Sequence, residues 1–206
     1  YDLIFAYVFD CWVIEALPKS VMPYLDHLFV PFPEIRSHLA EHLNIPVSVM
    51  PFGTNVRRYG SPQVERPIDV TSYGRGSKGY HQELFRTFNE PGSGLIYYVH
   101  PQTPAERFPE LSYCPERRDY QHKMLLGKVL RRSKAALAFS NVYTSKTEST
   151  IQHHVAHRIT FPILGYRWFE ISAAGCAVLG KRPESPVTDE YLGWEDATIE
   201  IPDDPQ

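Results

Sequence analysis

Strand-sized apolar runs alternate with segments of helical period along most of this chain, the pattern of an α/β protein with a parallel sheet. Leu3 to Phe9 is a continuous apolar run, as a strand covered on both faces requires. A helix is expected from Trp12 towards Pro18, and a short strand at His27–Val30. Pro33 to Leu43 reads as a helix, because proline suits its first turn and Ile35, Leu39 and Leu43 recur every four residues. Pro46–Met50 reads as the next strand. Residues 54–66 are polar, contain Gly60, Ser61 and Pro62, and show little periodicity, which makes them the best linker in the chain.

A second series of elements begins after that break. Ile68–Tyr73 is expected to be a strand, Gly74–Gly79 a turn, and Tyr80–Phe88 a helix with Leu84, Phe85 and Phe88 on one face. Leu95–Val99 is a strand that ends at His100-Pro101, followed by a proline-rich loop over residues 101–115. Tyr120–Arg131 is an amphipathic helix and Ala135–Ser140 another strand. Then Gly165-Tyr166-Arg167-Trp168-Phe169-Glu170-Ile171-Ser172-Ala173-Ala174-Gly175 reads as a short helix closed by small residues and glycine. Cys176–Leu179 follows as a buried strand, and Ala197–Ile201 is a further strand-like run.

The opening at Tyr1-Asp2 and the stop at Pro205-Gln206, each beside a strand-like run, read as the two cuts of a piece from a longer protein. Composition narrows the function classes. A length of 206 residues with 43% apolar and 22% charged content suits one large or two small globular domains. A net charge of −3 gives no general attraction to nucleic acid or anionic lipid. Cys11, Cys114 and Cys176 are odd in number and form no C-x-x-C pair, so the expectation is a reducing compartment, the cytoplasm. No run approaches the roughly 18 apolar residues of a membrane span, so no transmembrane segment is expected, and peripheral membrane contact stays open through regions outside this chain.

Two motifs carry the chemistry. Gly74-Arg75-Gly76-Ser77-Lys78-Gly79 stands between a strand and a helix, where α/β proteins place anion-binding loops. Its glycines let the backbone approach an anion, and Arg75 and Lys78 add a planar fork and a point charge. It has neither G-x-G-x-x-G nor Walker spacing, and the plainer reading is a βα turn with solvated bases. In the second motif, Arg167 and Glu170 lie three apart on one helical face, where they pair with each other on a surface or face a cleft. The apolar Trp168, Phe169, Ile171, Ala173 and Ala174 favour a buried helix, a buried carboxylate needs a partner, and the helix start is expected to point into the crevice at the strand ends. His100 either lines the same crevice or is a loop histidine before Pro101.

Other candidates are weaker. His153 and His157 have metal-ligand spacing, with Glu148 as a distant third group, but they read better as surface or phosphate-facing histidines. Asp10 and Glu15 lie beyond the first strand and read as structural. No G-x-S-x-G elbow and no Cys/His nucleophile pair is present.

Ile68-Asp69-Val70 through Gly74-Arg75, Lys134–Ser140, and Arg167–Gly175, in that order, resemble the nucleotide-binding domain of glycosyltransferases with the double-Rossmann B-type fold. The group 1 and CgeB-like branches, with an R-x-F-E-x-x-A-x-G helix, are the nearest in pattern, and Val49–Asn55 resembles their V-x-P-x-G-x-D passage between domains. The resemblance spans Asp26 to about Leu179. It implies that residues 1–55 finish an acceptor-side Rossmann-like domain, 56–66 are a linker, and 67–206 form a truncated donor domain. It further implies transfer of a sugar from a nucleotide sugar to an acceptor that is a saccharide, lipid or protein. Glu170 would bind donor ribose hydroxyls, and Arg75 and Lys78 would be the catalytic cations at the diphosphate. Gly74, Gly76, His100, Gly165, Tyr166 and Arg167 would complete the donor site, with no metal or other cofactor. Pro162 stands where many relatives carry a second acid. A non-catalytic nucleotide- or sugar-binding module and a sugar-nucleotide epimerase are the alternatives.

Overall fold

The structure, a computed structural model, describes residues 3–9, 17–60, 65–73, 78–99, 118–139 and 164–202. Among them the chain is α/β, with two all-parallel sheets of three and four strands, as in Rossmann-like folds. The described residues divide into two compact units, one holding residues up to 52 together with 183–191, the other the remainder.

The first unit contains the sheet β1(Phe5–Tyr7), β2(His27–Val30) and β3(Val47–Val49), in that spatial order. Helix α1(Pro33–His42) connects β2 to β3. Its predicted start is borne out, with Pro33 in the first turn, and Leu43 closes it by donating its N–H to the Leu39 carbonyl at 2.8 Å. The four-residue spacing puts Ile35 and Leu39 into a core with Leu28, Val30, Phe32 and Val47. Complete burial of an aliphatic side chain contributes about 1.5–3 kcal/mol, so Leu28, Ile35 and Leu39, all 0% exposed, anchor this unit. The helix expected from Trp12 lies, through residue 16, outside the described residues.

In the second unit the strands are β4(Ile68–Ser72), β5(Tyr97–Val99), β6(Ser133–Leu137) and β7(Ala177–Leu179), in the spatial order β5-β4-β6-β7. The helices are α2(Val56–Tyr59), α3(Lys78–Phe88), α4(Arg118–Arg131) and α5(Tyr166–Ala173). Chain order and spatial order part company at β4, whose successor β5 lies on one side and β6 on the other. Several expectations shift, among them the turn expected over Gly74–Gly79, of which Lys78 and Gly79 already lie in the first turn of α3. Residues 56–59, inside the expected linker, form α2, because Asn55 Oδ1 caps the helix by accepting the Arg58 N–H at 3.1 Å. Strand β6 starts two residues earlier than expected, since the Ser133 hydroxyl bonds back to the Val129 carbonyl at 2.8 Å and ends α4 there. The run Ala197–Ile201 yields only a single parallel bridge, Leu179 with Ile199. In the first unit's 183–191 segment an unexpected helix, α6(Pro186–Leu192), begins where the Ser185 hydroxyl accepts the Thr188 N–H.

Asp69 on β4 shows how a sheet end is pinned. Its carboxylate accepts the Ile96 N–H at 2.8 Å and the Lys134 ammonium at 2.5 Å. Burial alone would raise the Asp69 pKa, but the Lys134 hydrogen bond, the Ile96 N–H and the Lys134 charge together hold it below its ordinary value. A depressed folded-state pKa stabilises above the unfolded value of 3.8 and is lost as pH falls through the folded one. Asp69→Asn is therefore expected to flatten the acid limb: between about pH 6 and pH 2 its Tm should fall less than that of the wild type. Equal falls in melts followed by circular dichroism would remove Asp69 from the acid response.

Candidate functional site

In an open parallel sheet the crevice for ligands lies outside the carboxyl ends of the strands, where the strand order reverses. Here that point is the carboxyl end of β4, flanked by β5 and β6. Tyr73 is the first residue past β4, and the chain then enters Gly74–Ser77 before α3 begins at Lys78.

Helix α5 reaches the same end of the sheet by topology. It feeds β7 through Ala174, Gly175 and Cys176, and β7 runs parallel to β6, so its first turn lies towards the strands' carboxyl ends. The tight exit needs Gly175 at φ +67, a backbone conformation that suits glycine. Gly165 is the N-cap residue, in extended conformation and with no side-chain cap. Trp168, 0% exposed, anchors the helix against the sheet, together with Ile171. Tyr166 is 39% exposed, at the open end of the helix.

Glu170 is the fifth residue of α5 and only 7% exposed. A carboxylate taken out of water needs donors, and two tyrosines supply them. The Tyr59 hydroxyl donates to Oε1 at 2.7 Å, and the Tyr73 hydroxyl to Oε2 at 3.3 Å. Burial, then the hydrogen bond and negative charge of Glu170, push the Tyr59 pKa far up. Burial and the Glu170 charge do the same to Tyr73, with the Arg167 charge opposing. Both phenols therefore stay protonated and remain donors. The Arg167 guanidinium lies over the Tyr73 ring, 4.9 Å from its centroid, a cation–π contact. One end of the site thus joins α2, β4 and α5 through Tyr59, Tyr73, Arg167 and Glu170.

Tyr59 was not visible as a site residue in the sequence, for it lies 111 positions from Glu170 inside an aperiodic segment. The one available signal was Asn55 as a helix cap with Gly60 at the end of the same turn. Tyr59 itself is 2% exposed. Its helix packs on α4, where a Cβ on Gly127 would meet the Arg58 carbonyl at 3.5 Å and Tyr59 Cδ1 at 3.8 Å. The Arg131 guanidinium donates to the Arg58 carbonyl at 3.3 Å from the same side.

A polar chain runs along the neighbouring strand. Tyr97 is 4% exposed, pairs with His81 Nδ1 at 2.7 Å, and has its pKa pushed up to about 12 by burial, with the Ser72 hydrogen bond opposing. Of the residues expected at the site, Tyr166, Arg167 and Glu170 share α5, Gly165 caps its start, and Lys78 opens α3. Gly74, Arg75, Gly76 and His100 lie outside the described residues, as do Asp10, Glu15, Glu148, His153, His157 and Pro162. Among the described residues no cluster of three His, Cys, Asp or Glu side chains could hold a metal ion, and no helix is long and apolar enough to cross a membrane. The chain matches no protein-family model, no curated protein and no solved structure.

Proposed function

We propose that the second unit binds the nucleotide-sugar donor of a glycosyltransferase with two Rossmann-like domains, of the group 1 or CgeB-like kind. The observation that carries this reading is the reversal of strand order at β4, the strand that the Gly74–Gly79 motif follows in sequence and beside whose end Glu170 is held. In this reading the backbone of Gly74 and Gly76 approaches the diphosphate, while Arg75 and Lys78 neutralise it as the leaving group departs. Glu170 accepts hydroxyls of the donor ribose. Gly165 at the N-cap of α5, and Tyr166 and Arg167 in its first turn, face the sugar or phosphate, with His100 beside them. The two cations do the work that a metal would otherwise do, and the acceptor is a saccharide, lipid or protein held mainly by the other domain.

Saturation-transfer NMR with UDP, GDP and ADP sugars, followed by turnover assays on the full-length protein, tests the proposal. Binding with release of free nucleotide and transfer to an acceptor is the expected result. Binding without turnover would assign a non-catalytic module, interconversion of sugars without nucleotide release would assign an epimerase, and no binding would end the reading. Arg75→Ala is expected to lower kcat by roughly 100-fold with a smaller loss of donor affinity, because the diphosphate gains charge as the bond breaks. The opposite ordering would make Arg75 a binder of the ground state.

A further inference from the structure

The two hydroxyls on Glu170 are unequal. Tyr59 donates at 2.7 Å, an ordinary length for an O–H donor, and is wedged on α2 against α4 and α5 at 2% exposure. Tyr73 donates at 3.3 Å, beyond the usual range. It is partly buried and is the first residue past the end of β4. One oxygen of the carboxylate therefore accepts a short bond from a fully buried tyrosine, and the other a long bond from a tyrosine at a strand end.

We propose that Tyr59 is the positioning residue of this site, fixing Oε1 of Glu170, and that Tyr73 occupies Oε2 only until a ligand hydroxyl replaces it. The ligand class is a vicinal diol such as the ribose of a nucleotide, and in this the inference rests on the function proposed above. A carboxylate pinned at Oε1 keeps Oε2 aimed at the strand ends, so the incoming hydroxyl finds its acceptor already oriented. The exchange is hydrogen bond for hydrogen bond: the ligand hydroxyl donates where the Tyr73 hydroxyl did, and no proton changes owner. Tyr73 takes with it the ring beneath Arg167, so that departure of the phenol also releases the guanidinium from its stacking contact. Tyr73 acts here as a built-in competitor, and Tyr59 as the fixed support.

Calorimetric titration of the protein with UDP, GDP and ADP, and with the 2′,3′-dideoxy form of whichever binds, provides the test. The wild type should prefer the ribonucleotide by roughly tenfold, the size of a hydrogen bond to a charged group. Tyr59→Phe should cut that preference to about twofold, whereas a merely structural role would weaken both nucleotides alike and leave the ratio unchanged. Tyr73→Phe should tighten the ribonucleotide by a few-fold and leave the dideoxy form as it was. A preserved ratio in Tyr59→Phe, or weaker ribonucleotide binding in Tyr73→Phe, overturns the proposal. If the wild type binds a nucleotide without favouring ribose, this proposal fails while the nucleotide site stands; if it binds none of the three, the proposed function fails first. Should Tyr59→Phe not fold, the sign of the Tyr73→Phe effect decides.

Discussion

Gly180→Ala is expected to destabilise the second unit by about 3 kcal/mol, lowering Tm by roughly 6–12 °C for a chain of this size. Gly180 follows β7, and a Cβ there would lie 1.9 Å from the Ala138 carbonyl oxygen and 3.0 Å from its carbon. Neither atom belongs to a side chain that can swing aside. The third neighbour, Trp168 Cη2 at 3.2 Å, is part of a ring with no exposed surface. Relief therefore requires moving β6 against β7 next to the Ala138 N–H bond to the Leu179 carbonyl, or displacing the anchor of α5. Gly53→Ala is the control, since a Cβ at that position meets nothing within 4 Å. Urea denaturation of both variants measures the effect. Equal stabilities would show that the β6–β7 approach is looser than the distances imply.

Glu170→Ala should have two separable effects. Removing the carboxylate leaves the Tyr59 hydroxyl buried without the acceptor it now has, which costs about 1–3 kcal/mol. It also removes the acceptor proposed for ligand hydroxyls, so nucleotide-sugar affinity should fall by at least roughly tenfold. Glu170→Gln divides the two. Its amide oxygen can still accept from Tyr59 and should recover most of the stability, but without the negative charge the affinity stays low. Denaturation and ligand titration on the same samples provide both readouts. Lost stability with undiminished nucleotide binding would assign Glu170 to the fold alone.

The elements that could be read from the sequence were those with a strong local cause. Strand β2 coincides with the expected His27–Val30, and α1 starts at Pro33 because proline and a four-residue apolar period agree there. Helix α5 was legible from its glycine-bounded apolar stripe. What escaped is short or depends on distant partners. A four-residue helix such as α2 has no period to detect, and only its Asn55 cap betrays it. Ala197–Ile201 has the composition of a strand, yet pairing is a tertiary matter and only Ile199 found a partner. The site shows the same division. Glu170 and Arg167 were visible as a polar pair on an apolar helix, but their tyrosine partners come from two other elements. No local pattern marks a phenol as the donor to a carboxylate so far along the chain.

Arg66, just before β4, holds the start of β7 through oxygen atoms of the main chain. Its guanidinium donates to the carbonyls of Ser133 and Ala174, and meets the Cys176 sulfur at 3.4 Å. Recognition through carbonyls is indifferent to the side chains that accompany them. Whatever limits the side chains at 133 and 174, that limit is not set by Arg66, so paired-substitution statistics would miss this latch. A variant library would reveal it instead as strict intolerance at Arg66, uncoupled from which side chains stand at the residues it grips.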